Sequence, residues 1–233
     1  MFIMIFLLTS TWITNYLYDQ DVSMNRMRKK RWVLFNKQID IAGLLLFLAG
    51  IIIFMGIITA ESYYPLDKTY TTRQNEISDL GATKPPNSII TQPSATIFNT
   101  TMILTGLMIL FATVLIHGVY EKLVISIPLG FLGIGILGVG IFPGNITPWH
   151  SLFAFITFTS GGLAAILSYK ITKTPLSYVF VIIGVIALFF LVFNQSFVSF
   201  LGKGGTERFI AYPILFWMTG LGTYLIGSHT QKK

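Results

Sequence analysis

Residues 39–60 read IDIAGLLLFLAGIIIFMGIITA. After Asp40 the chain runs from Ile41 to Ile58 without one polar side chain. A helix at the surface of a soluble domain carries a polar face every three or four residues, and none is present here. A run of about 20 apolar residues matches the ~30 Å hydrocarbon core of a bilayer, so the stretch reads as a membrane span. Five further runs, at about 95–117, 123–142, 148–169, 175–198 and 206–227, read the same way. The predicted fold is all-α: a polytopic bundle of six transmembrane helices with short loops and one long outer loop carrying a short helix.

Composition agrees. Of 233 residues 53% are hydrophobic and only 11% charged, against roughly 25% charged in soluble domains. Three segments follow: residues 1–38, an N-terminal apolar stretch followed by a basic one; residues 39–227, the six-span membrane domain; and residues 228–233, a tail. Residues 2–18 (FIMIFLLTSTWITNYLY) lack a preceding basic residue and a following small-residue cleavage site, so they do not read as a signal peptide. They are expected to form an interfacial or loosely attached helix, with a seventh span as the alternative; Met24 and Met27 are alternative starts.

The net charge of +7 comes largely from Arg26, Arg28, Lys29, Lys30 and Arg31 beside the first span. Basic residues there set topology and touch anionic headgroups, so membrane lipids are the expected partners and nucleic acid is not. A membrane-protein partner or a second copy of the chain stays open. With the Arg26–Lys37 region inside, the alternating loops divide Lys and Arg eleven to five in favour of the cytoplasm. The expected state is a multi-pass protein of the cell membrane with both termini cytoplasmic. The absence of Cys excludes disulfides, Fe–S clusters and Cys-based zinc sites. In the third span, Gly130, Gly133, Gly135, Gly138 and Gly140 predict a central helix whose neighbours approach closely.

Polar residues concentrate at three points, all predicted on the outer side. In the first outer loop, Thr71-Thr72-Arg73-Gln74 has a capping-box pattern, and Gly81 suits C′. The implied helix of two to three turns places Asn75, Ser78 and Asp79 on one face, with Ile77 and Leu80 free to dock it on the bundle. In Gly144–His150, Thr147 as N-cap and Pro148 as N1 put His150 at the mouth of the fourth span. In Gly202–Arg208 the P-loop spacing is absent; Thr206 suits an N-cap, and Arg208 opposes the helix dipole and so needs a partner, Asp79 or a lipid phosphate. Lys203 adjoins it, and Tyr212 lies one turn on, on the Arg208 face. His117 and His229 fall on the opposite side from His150, which rules out a three-His zinc set of the ceramidase type.

NEISDLG after the first span, Ile97-Phe98-Asn99 opening the second, Ile141–Gly144 with the following His150, and GGTERFIAYP at the sixth resemble the membrane proteins grouped as DUF998. The resemblance covers about residues 39–227 and implies a compact integral membrane protein of bacteria and archaea without an assigned activity. Its matching residues here are Asn75, Ser78, Asp79, Asn99, Pro143, His150, Glu207 and Arg208.

The functional expectation is a polar site at the outer membrane face, read first as a lipid-directed enzyme. Asp79, His150 and Glu207 would carry acid–base chemistry or hold a divalent metal, the one candidate cofactor. Asn75, Ser78, Lys203, Arg208 and Tyr212 would bind substrate. A non-catalytic lipid-binding or sensing protein and a structural subunit of a membrane complex are the alternatives. No charge is predicted near mid-membrane, which counts against a coupled transporter.

Overall fold

The computed structural model describes residues 33–65 and 70–228. The N-terminal apolar segment, the basic cluster at 26–31, Lys68 and His229 lie outside the described residues. Among those described there are six main helices and no strand. They are α1 (Val33–Ser62), α2 (Ser94–Tyr120), α3 (Leu123–Ile141), α4 (Trp149–Leu167), α5 (Leu176–Val192) and α6 (Asn194–Gly227). Five are long and apolar enough to cross a membrane; α5, with 17 residues, is shorter.

Consecutive helices pack side by side from α2 to α6, and α4 also touches α6. α1 closes the ring. A Cβ at Gly43 would stand 2.7 Å from the Gly222 carbonyl of α6, and one at Gly56 would meet Thr101 of α2. α5 lies outside this ring, against α4 and α6. The glycines of α3 act as expected on both flanks. A Cβ at Gly135 would lie 2.7 Å from the Thr157 backbone nitrogen of α4, and one at Gly140 2.7 Å from the Asn99 carbonyl of α2. Side chains at such positions would force the backbones apart and forfeit the dispersion contacts that hold helices together in lipid.

Two boundaries differ from the sequence reading. The fifth span does not continue to 198: α5 stops at Val192 and a new helix starts at Asn194. That helix is interrupted at Gly202, whose φ of 78° and ψ of 169° lie outside the helical region and are open essentially to Gly alone. Hydropathy misses the turn because the chain stays aromatic across it. Phe190 packs at a tilt against Phe197 at 4.5 Å and stacks on Phe209 at 4.8 Å, folding the short 194–201 piece back onto its neighbours. Thr206 is therefore inside the helix, its hydroxyl donating to the Gly202 carbonyl at 2.8 Å, and is not the cap. Likewise Pro148, not Thr147, is the N-cap of α4.

The α1–α6 crossing can be tested directly. Gly222→Leu drives a side chain into the Phe47 backbone, 2.5 Å from the Cβ position, and should cost about 1–3 kcal/mol. Gly118→Ala, with nothing within 4 Å, should leave the melting temperature in detergent unchanged or raised.

Candidate functional site

The three polar segments do meet, at one end of the bundle. The expected helix over 71–80 does not form. Gln74 N–H donates to Thr71 Oγ1 at 3.2 Å as a cap would, but Asn75 Oδ1, and not Gln74, reaches back to the Thr71 N–H at 3.0 Å. The backbone then extends at Glu76 and closes one 3₁₀ turn, Ile77–Leu80. Asp79 Oδ2 accepts the Glu76 N–H at 2.9 Å and lies 3.4 Å from Asn75 Nδ2. Ile77 and Leu80 are buried and dock the turn, as the sequence suggested. Gly81 is in the αR region, so its need is space: a Cβ would sit 2.4 Å from Asn99 Oδ1.

Burial pushes the Asp79 carboxyl above its ordinary range, and the neighbouring Glu76 charge adds to this; the Glu76 N–H and Asn75 bonds only partly offset both. Glu76 is itself paired with Lys84 at 2.5 Å.

Arg208 finds its partner elsewhere than at Asp79. Nη2 contacts Glu61 Oε1 at 2.5 Å and donates to the Tyr70 hydroxyl at 2.9 Å. Nη1 has the carbonyls of Thr72, Asn75 and Gly204 at 3.0 Å each. Tyr70 has Glu61 Oε1 and the Glu76 carbonyl within 3.4 and 3.3 Å as acceptors. Burial holds the Tyr70 phenol well above its usual range, against the opposing pull of Arg208, so it stays a neutral donor. Glu61 and Tyr70 were not singled out from sequence. The available signal was an acid closing the first span at the end where Arg208 lacked a counter-ion.

His150 is buried in the first turn of α4, its Nδ1–H donating to the Phe142 carbonyl at 2.8 Å. That bond leaves the lone pair on Nε2. The turn beyond Phe142 backs onto the loop, since a Cβ at Gly144 would lie 2.0 Å from the Ala82 carbonyl. Lys203 is exposed. Tyr212 packs edge-on against Phe54 at 5.8 Å. His117 bonds Ser126 at the opposite end of the bundle, away from His150.

Glu207 stands apart. It accepts the Ile77 N–H, and it lines a chamber of about 70 Å³ at the centre of the helix ring. The walls are apolar, with Ile57 of α1, Met102 of α2, Ile136 of α3, Phe158 of α4 and Met218 of α6. Ser78 and Ile77 form the lid. Of the polar lining residues, Thr157 spends its hydroxyl on the Phe153 carbonyl, and Glu207 is the one carboxylate. Asn75, Ser78 and Asp79 thus part company: Asp79 and Asn75 close the loop, and Ser78 faces the chamber. Among the described residues no group of three or more His, Asp or Glu is placed to hold a metal ion, so Asp79, His150 and Glu207 do not gather as a ligand set.

Two outcomes follow. Arg208→Leu leaves Glu61 and the loop carbonyls unmatched and should cost about 3 kcal/mol. A double-mutant cycle with Glu61→Gln, read by melting in detergent, should show the two effects strongly coupled. At Asp79 the folded carboxyl lies above its unfolded value, so its ionised form lowers stability at neutral pH, and the loss is relieved as pH falls through the folded pKa. Asp79→Asn keeps an acceptor for the Glu76 N–H. It should be at least as stable as the parent at pH 7, and the parent should gain on it as pH drops into the carboxylate range.

No match was found among curated proteins or among solved structures. Residues 41–224 match the family described as "Protein of unknown function (DUF998)". That range runs from the start of the first apolar span to the last turns of α6 and includes the lid, the chamber and the Arg208 tie. The chain is a member of the DUF998 family.

Proposed function

We propose that this membrane protein binds a small amphiphile, an alcohol or amine dissolved in the bilayer, with its apolar part in the central chamber and its donor head on Glu207. The observation that carries the reading is the chamber itself: apolar on every wall, with one carboxylate beneath a loop lid. Small-molecule sites have this character, a mostly apolar enclosure with a few placed polar groups. Size limits the ligand. An engineered cavity of about 150 Å³ holds benzene, so a chamber of about 70 Å³ takes a short apolar segment and not a whole lipid tail.

Binding is favoured over catalysis. Asp79 is engaged by the Glu76 N–H, the His150 Nδ1–H by Phe142, and Arg208 by Glu61 and the loop. Of the three acid–base candidates only Glu207 lines the chamber; Asp79 and His150 lie outside its lining, so the set of a lipid-directed enzyme does not gather there. All six helices cross the membrane in this reading: α5, at about 26 Å, is slightly short of the ~30 Å core, and modest local thinning accommodates it. By the eleven-to-five division of Lys and Arg, the lid faces outward from the cell membrane and both termini lie in the cytoplasm.

The test is thermal stabilisation of the detergent-purified protein by straight-chain primary alcohols and amines from butyl to octyl. A ligand that binds only the folded state raises the melting temperature with concentration. The shift should peak within the series, vanish in Ala211→Phe, which fills the chamber, and shrink in Glu207→Gln, which keeps an acceptor for the Ile77 N–H. Equal shifts in the parent and Ala211→Phe would overturn the reading.

A further inference from the structure

A second concavity, of about 600 Å³, runs down the lipid-facing side of α6 and shares no lining residue with the chamber. Thr72 and Arg73 of the loop form its upper wall together with Arg208, and Phe209, Pro213 and Phe216 line its length. From Gly205 to Phe216 the helix advances about 16 Å. That is half of the ~30 Å hydrocarbon core, the depth of one leaflet.

The charge at its two ends differs. Arg208 is matched by Glu61. Arg73 is exposed and has no ion-pair partner among the described residues; its Nη2 has only the Phe200 carbonyl, at 3.4 Å. Exposed Lys203 adjoins it, next to Gly204, whose N–H donates to the Arg73 carbonyl at 3.0 Å. The lower end is apolar and open, with Phe209 48% and Phe216 58% exposed. A cationic head above a leaflet-deep aromatic channel complements one kind of molecule.

We infer that this groove seats an anionic phospholipid of the adjoining leaflet, its phosphate on the Arg73 guanidinium and one acyl chain along Phe209 and Phe216. A guanidinium presents two parallel N–H donors to a phosphate, and the Arg73 backbone is held independently by the Gly204 N–H, so the side chain can be changed without releasing the loop.

The experiment is native mass spectrometry of the full chain released from nanodiscs of equal phosphatidylglycerol and phosphatidylcholine. The parent should retain phosphatidylglycerol in preference, by about fivefold, the worth of one basic residue at an anionic surface. Arg73→Gln should bring the ratio close to one while melting unchanged, and Lys122→Gln, at the opposite end of the bundle, should keep the parent ratio. An even ratio in the parent, or an undiminished preference in Arg73→Gln, overturns the inference. So does loss of the bound lipid to millimolar inorganic phosphate, which would mark a site for the free ion. A lipid-free dimer would give the groove to a second copy and overturn it too. The chamber's occupant, read with Ala211→Phe, is unaffected by any of these outcomes.

Discussion

The guanidinium of Arg208 cannot shed its proton, and at a helix end beside the hydrocarbon core it is costly unless its charge is paired and most of its donors are answered, up to ~3 kcal/mol at mid-membrane. One carboxylate, from Glu61, answers part of the demand. The buried Nε has no hydrogen-bond partner among the described residues, while Nη1 is met by bringing backbone to it, the carbonyls of Thr72 and Asn75 arriving from the long loop. That requirement fixes the loop over α6, and the loop so fixed places the Ile77–Leu80 turn as the lid. Remove the cation and the lid is left with contacts such as the buried Ile77 and Leu80 side chains and the Glu207 bond to the Ile77 N–H.

The same constraint explains the glycines of Gly202-Lys203-Gly204-Gly205. They superficially suggest a phosphate loop. A Cβ at Gly204 would stand 1.9 Å from the Asn75 carbonyl and 2.6 Å from that of Thr72, the two carbonyls Arg208 uses. A Cβ at Gly202 would strike the Arg73 carbonyl at 2.1 Å, which in turn accepts the Gly204 N–H. The glycines are there so that one backbone can lie against another, and the positive φ at Gly202 turns α6 under the loop. The anion this region handles internally is Glu61, not a nucleotide.

How much of this was legible in the sequence depends on range. The six helices were readable because apolar runs and their polar breaks are local properties, and the packing role of the α3 glycines followed from their number in one span. The end of α5 was missed because Phe193, Phe197 and Phe200 carry the hydropathy across a real turn. The expected loop helix does not form because the capping box near Thr71 is filled by Asn75 and not Gln74, and a second one, built by Glu76 and Asp79, takes the following residues. The partner of Arg208 was 147 positions away at Glu61, and no local pattern names a contact at that separation. The gathering of three polar points at one end was legible from span alternation alone; their division into lock and chamber was not.

Glu207 and Arg208 show why that division had to be seen in three dimensions. As adjacent residues of opposite charge they read in sequence like a local pair. On a helix, neighbours point about 100° apart, so they cannot face one partner. Arg208 turns outward to the loop, Glu61 and the lipid-side groove; Glu207 turns inward to the chamber and the Ile77 N–H. Two consecutive side chains thus serve opposite faces of the same lid. Arg208 holds the loop down by its carbonyls, and Glu207 holds it by an amide while presenting a carboxylate to whatever enters beneath. A ligand that took the Glu207 oxygen from Ile77 would loosen one of these two attachments and leave the other intact. In the proposed binding mode, ligand and lid would compete for one Glu207 oxygen, the one that accepts the Ile77 N–H.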